Sequence, residues 1–62
     1  MAKYANYCAI RDQRQMSDYA VAKAANITKS TFSDWKKGRS APKLEKLRKI
    51  ANVLGVTVDD LV

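Results

Sequence analysis

Ser17-Asp18-Tyr19-Ala20-Val21-Ala22-Lys23-Ala24-Ala25-Asn26-Ile27-Thr28-Lys29-Ser30-Thr31-Phe32-Ser33-Asp34-Trp35 is the stretch on which the fold turns. Ser17 offers an N-cap hydroxyl and Asp18 a first-turn carboxylate, and Val21, Ala22 and Ala25 form a narrow face of small apolar residues, which together predict a short helix. Asn26 stands where that helix must stop, and asparagine is one of the few residues that accept a left-handed backbone, so a positive φ is expected there. Thr28 is a second N-cap candidate, followed by an inward pair, Phe32 and Trp35, spaced i, i+3. Two helices joined by so short a turn cross steeply only if the contact residues are small, as Ala22 and Ala25 are, while Val21, Ile27, Phe32 and Trp35 anchor the pair to a core. At about 100° per residue, Ser30, Ser33 and Lys37 centre the outer arc of the second helix, flanked by Lys29, Asp34 and Lys36. Hydroxyls and lysines on a protruding helix suit a major groove, where they meet base edges and phosphates.

Working outward, Tyr4, Tyr7, Cys8 and Arg11, with Ile10, recur at helical spacing and predict a first helix from Lys3 to about Gln13. After Phe32 and Trp35, Gly38 closes the third helix, and Arg39-Ser40-Ala41-Pro42 reads as a loop whose proline could open the next one. Leu44, Leu47, Ile50, Ala51 and Leu54 make the clearest amphipathic pattern in the chain, stopped by Gly55. Thr57, Asp59 and Asp60 then predict the capped start of a fifth helix. With no strand-like alternation or internal repeat, the expected fold is all-α: five short helices in one compact bundle, residues 1–62 forming a single domain.

Composition narrows the function. At 62 residues and 47% hydrophobic the chain is near the lower size limit for an unstapled core. Cys8 is the single cysteine and there is no histidine. An internal disulfide is therefore excluded, and the usual metal ligand and near-neutral general base are missing. No nucleophile–base pair, phosphate loop or metal-ligand cluster is present, so neither an enzyme nor a cofactor is expected. Without an apolar run of about 20 residues or a signal-like N-terminus, a cytoplasmic protein with no membrane partner is the expectation. The net charge is +6, all of it between Lys29 and Lys49, where eight basic residues meet Asp34 and Glu45. Positive charge concentrated in this way is the footprint expected for a polyanion partner such as nucleic acid, although solubility alone also produces basic chains.

In the quoted stretch, and onward through Gly38, Pro42, Leu44, Ala51, Leu54-Gly55-Val56-Thr57-Val58 and Asp60-Leu61, the sequence resembles the Cro and phage-repressor (XRE-type) helix-turn-helix family. The resemblance runs from about Ile10 to the end. It implies a lambda-repressor-like bundle with the helix-turn-helix as its second and third helices, and sequence-specific binding of double-stranded DNA with the third helix in the major groove. It further implies a transcriptional regulator, most often a repressor, bound as a homodimer to a palindromic operator without a small-molecule ligand. On this resemblance Lys29, Ser30 and Ser33 occupy base-contacting positions. Ser17, Tyr19, Thr28, Lys36, Lys37, Arg39 and Lys43 fall where the DNA backbone passes. The same resemblance leaves room for a longer regulator of which this is the N-terminal domain.

Two positions depart from the family pattern. Glutamine is common where Asp18 stands; a carboxylate cannot donate to a phosphate, and a bond to the backbone is the alternative. An arginine at the position of Arg11 is often paired with a glutamate at the position of Lys36, and here both are cationic. Either Arg11 finds another carboxylate or both charges face solvent.

Several side chains have plainer roles. Phe32 and Trp35 lie opposite the polar arc and are expected in the core rather than stacked on bases. Tyr4, Tyr7 and Cys8 are read as packing residues. Lys43, Lys46 and Lys49 recur every three residues, which is most simply a solvated face, with Lys43 alone close to the recognition unit. Asp34 could accept from a cytosine amino group, but local pairing with Lys37 is the preferred reading. The competing function is a protein-interaction module, an antitoxin or anti-repressor partner, built on the same fold.

Overall fold

In the computed structural model, which describes residues 2–62, the chain forms α1 (Tyr4–Gln13), α2 (Asp18–Ala25), α3 (Lys29–Lys36), α4 (Leu44–Leu54) and a terminal 3₁₀ helix (Val58–Leu61). Among the described residues there is no strand. The expected fifth α-helix is thus a single tight turn. Its bonds run i→i+3, from Asp60 N to Thr57 O at 3.1 Å, and the Asp60 carboxylate accepts from the Thr57 N–H and hydroxyl, both at 3.1 Å. Four residues are enough for such a turn and too few to propagate an α-helix.

The two turns that set the direction of α2 use left-handed residues. Asn26 caps α2 at φ 58° and ψ 47°, and the Ile27 N–H bonds back to Ala22 O at 2.9 Å. That pairing satisfies a carbonyl which the helix end would otherwise leave open. Gln15, at φ 55°, makes the turn between α1 and α2, a position with no asparagine or glycine to announce it. Ser17 caps α2 as expected, its Oγ accepting from Ala20 N at 3.1 Å. Thr28 also holds the N-cap position of α3, but no side chain caps that helix. Its Oγ1 lies 3.1 Å from Ser30 Oγ and 3.3 Å from Thr31 Oγ1 instead.

α4 packs across α2 and the 3₁₀ helix, which also holds α1. The core comprises Val21, Ala22, Phe32, Trp35, Leu47, Ile50, Ala51, Leu54 and Leu61, with Tyr7 at its centre. Tyr7 lies 5.0 Å from the Trp35 ring and 5.4 Å from Phe32, and Tyr4 meets Trp35 edge-on at 5.5 Å. Phe32 and Trp35 are buried as their spacing predicts. Leu44 is not: it is 54% exposed, because it opens α4 ahead of the turns that cross α2. Pro42 closes the preceding loop, buried, and Lys43 rather than the proline precedes the first helical residue.

Candidate nucleic-acid interface

With Phe32 and Trp35 committed to the core, the rest of α3 is turned outward. Lys29, Ser30, Ser33 and Lys36 are exposed, as are Thr28 and Lys37 at the two caps. Ser17, Tyr19, Arg39 and Lys43 are exposed as well, Tyr19 to 61%. The Ser17 oxygen is occupied as an acceptor by its own helix, which leaves its O–H free to donate outward.

Some of these residues line one cleft. Thr28, Ser30, Thr31 and Asp34 face Ser40, Lys43 and Lys46 across an open cleft of about 570 Å³ between the starts of α3 and α4. Lys29, Ser33, Lys36, Lys37 and Arg39 do not line it, and Arg39 instead borders a smaller groove beside Tyr4 and Trp35. Thr31 and Lys46 line the cleft too, and neither is among the contact residues expected from the sequence. Lysines every third residue on α4 carry no sign of which ones border the cleft. Asp34 pairs with Arg39, at 3.9 Å, rather than with Lys37. The chain reverses at Gly38, φ 76°, so that Arg39 N reaches Asp34 O at 2.9 Å and the two side chains come alongside.

The two departures from the family pattern answer each other. Asp18 does not bond to the backbone; its carboxylate accepts from Tyr4 Oη and Tyr7 Oη, both at 2.7 Å, and from Arg11 Nη1 at 2.8 Å. Arg11 thereby finds its carboxylate, with Asp12 as a second one at 2.8 Å, and Lys36 is left exposed. Burial works to raise the Asp18 pKa, but the Arg11 guanidinium and the two phenols outweigh it and hold the carboxyl below the usual range. Burial first, and the bond to Asp18 second, push both Tyr4 and Tyr7 above the ordinary phenol range. Tyr4 and Tyr7 are therefore polar braces as well as packing residues, tying α1 to the first turn of α2 between Ser17 and Tyr19.

An exposed cationic α3 set by a left-handed turn against a small-residue α2 matches a known pattern: the family model described as Helix-turn-helix (HTH_3) fits residues 9–61. The chain belongs to the Cro and phage-repressor (XRE-type) helix-turn-helix family. Members of this helix-turn-helix family similar to it include the cryptic phage CTXphi transcriptional repressor RstR of Vibrio cholerae, 34% identical over 53 residues, covering 86% of this chain and 48% of that protein. The HTH-type transcriptional regulator DdrOP3 of Deinococcus deserti is 38% identical over 53 residues, covering 86% of this chain and 41% of its own length. Among solved structures, apo-HppE superposes with a TM-score of 0.80 at 27% identity, over 100% of this chain and 36% of the other. The chain thus spans less than half the length of the curated relatives it matches. What it shares with them is the helix-turn-helix unit.

Proposed function

We propose that this chain is the DNA-binding part of a transcriptional repressor, one lambda-repressor-like domain that inserts α3 into the major groove of a specific double-stranded site. The observation that carries the reading is the division of α3: Phe32 and Trp35 are buried on one side, while Lys29, Ser30, Ser33 and Lys36 are exposed on the other. Two copies on a palindromic operator, with their recognition helices one turn apart, supply the affinity that so small a surface lacks. The repressor role is supported by RstR, which carries that function in its name. No catalytic step, cofactor or membrane enters this proposal, and it places the protein in the cytoplasm. Among the described residues no helix is long and apolar enough to cross a membrane.

Lys29 opens α3, the part that enters a groove deepest, and it discriminates bases with Ser30 and Ser33. Ser17, Tyr19, Thr28, Lys36, Lys37, Arg39 and Lys43 hold phosphates. The test is a duplex selected from a randomised pool and titrated by fluorescence anisotropy at several salt concentrations. Lys29→Ala should relax preference at one operator position by about 1 to 3 kcal/mol. Lys43→Ala should weaken specific and scrambled duplexes alike and lower the slope of log affinity against log salt by about one. Equal losses on both duplexes for Lys29→Ala would overturn the placement of α3. A salt-insensitive interaction would favour a protein-binding module instead.

A further inference from the structure

We propose that Asp18 is a specificity-determining residue for DNA that touches no base: it positions the first turn of α2, with Ser17 and Tyr19, relative to the outer face of α3. The inference rests on the DNA-binding reading above and extends it to residues outside the proposed contact surface, Asp18 and its partners Tyr4, Tyr7 and Arg11. Ser17 and Tyr19, the phosphate contacts on either side of Asp18, are both exposed, Tyr19 to 61%. Packing does not hold the backbone beneath them. The buried residues of α2 are Val21, Ala22 and Ala25, all beyond its first turn. The incoming connection runs through Gln15 at φ 55°, a left-handed conformation that glycine and asparagine adopt far more readily than glutamine. α1 packs on the 3₁₀ helix, and its backbone barely approaches α2 or α3. The joint is therefore made by side chains. Tyr4, Tyr7 and Arg11 form one stripe of α1, and all three donate to the Asp18 carboxylate, at 2.7, 2.7 and 2.8 Å. The rings of the same two tyrosines rest on the buried side of α3, Tyr7 at 5.0 Å from Trp35 and 5.4 Å from Phe32, Tyr4 at 5.5 Å from Trp35. The Asn26 turn ties α3 to the last turn of α2, and this path of charge-assisted hydrogen bonds and packed rings ties it to the first. Phosphate contacts set the register in which base edges are read, so a specific site must meet both surfaces at once. Sequence-blind attraction has no such requirement, because it depends on charge alone.

That difference separates positioning from a loss of stability or a change of charge. Two variants are compared with the unsubstituted chain: Asp18→Ala, and the pair Tyr4→Phe with Tyr7→Phe, which keeps both rings and every charge. Each is titrated by fluorescence anisotropy against the selected duplex and a scrambled one, with affinities corrected for the folded fraction read from urea melts. The ratio of selected to scrambled affinity should fall about 2- to 30-fold in Asp18→Ala, the range for breaking one link of a side-chain network, and should fall in the phenol pair as well. The scrambled duplex should be bound as tightly as before by the phenol pair, with an unchanged salt slope, and as tightly or more so by Asp18→Ala, which has lost a carboxylate. If Asp18→Ala does not fold, the phenol pair decides alone. An unchanged ratio in the phenol pair, or an equal change on both duplexes in either variant, would overturn the positioning role while leaving DNA binding in place. An unsubstituted chain with no preference for the selected duplex would remove both readings.

Discussion

Asp18→Ala removes the acceptor on which three donors converge, Tyr4 Oη, Tyr7 Oη and Arg11 Nη1, at 2.7, 2.7 and 2.8 Å. A hydrogen bond to a charged group contributes about 1.5 to 3 kcal/mol, but Asp18 keeps 24% of its side chain exposed and water reclaims part of that. Arg11 retains Asp12, so its charge is not stranded. Tyr7 has no such recourse: it is fully buried, and a phenol left without an acceptor costs about 1 to 3 kcal/mol. Losing a first-turn carboxylate at α2 adds a few tenths. The expected loss is about 2 to 4 kcal/mol, against a total of roughly 3 to 9 kcal/mol for a domain of this length. Tyr7→Phe deletes a donor without orphaning a buried group and should cost only about 1 kcal/mol. The folded pKa of Asp18 lies below its unfolded value of about 3.9, so the carboxylate stabilises the fold above about pH 4. That contribution is lost as pH falls through the folded value. The gap between the unsubstituted chain and Asp18→Ala, measured by urea unfolding from pH 7 down to pH 2, should therefore be full at neutrality and narrow in acid. A loss below about 0.5 kcal/mol, a gap that ignores pH, or Tyr7→Phe costing as much as Asp18→Ala would refute the brace.

Trp35→Ala should cost about 3 to 5 kcal/mol, the range for a large core aromatic and a large share of the total, read from urea unfolding followed by far-ultraviolet circular dichroism. A loss under about 1.5 kcal/mol would contradict its place in the core. At Asn26, whose φ is 58°, glycine should be accepted within about 0.5 kcal/mol and alanine should cost about 1 kcal/mol, read from the same urea titrations.

What the sequence made legible follows from interactions between neighbours along the chain. The i, i+3 spacing of Phe32 and Trp35 specifies one side of one helix, and Asn26 announces its own backbone. Leu44 obeys the same periodicity as Leu47 and Leu54 yet faces solvent, since period says which side of α4 it occupies and not how far the neighbouring helices extend. Thr28 reads as a cap from its position, but its hydroxyl had two nearby hydroxyls to choose instead of the backbone. The Asp18 brace joins residues 7 to 14 positions apart, from two helices whose relative placement is set by Gln15, a residue without a turn signature.

The gathering of Tyr4, Tyr7 and Phe32 around Trp35 gives the molecule an optical property as well as a mechanical one. Trp35 is the single tryptophan, and two of the three tyrosines lie with ring centres 5.0 and 5.5 Å from it, close enough to pass their excitation to the indole. Light absorbed by those phenols should re-emerge as indole emission while the chain is folded and as phenol emission once it is not. The chain thus carries in its own core a reporter of folding that needs no label.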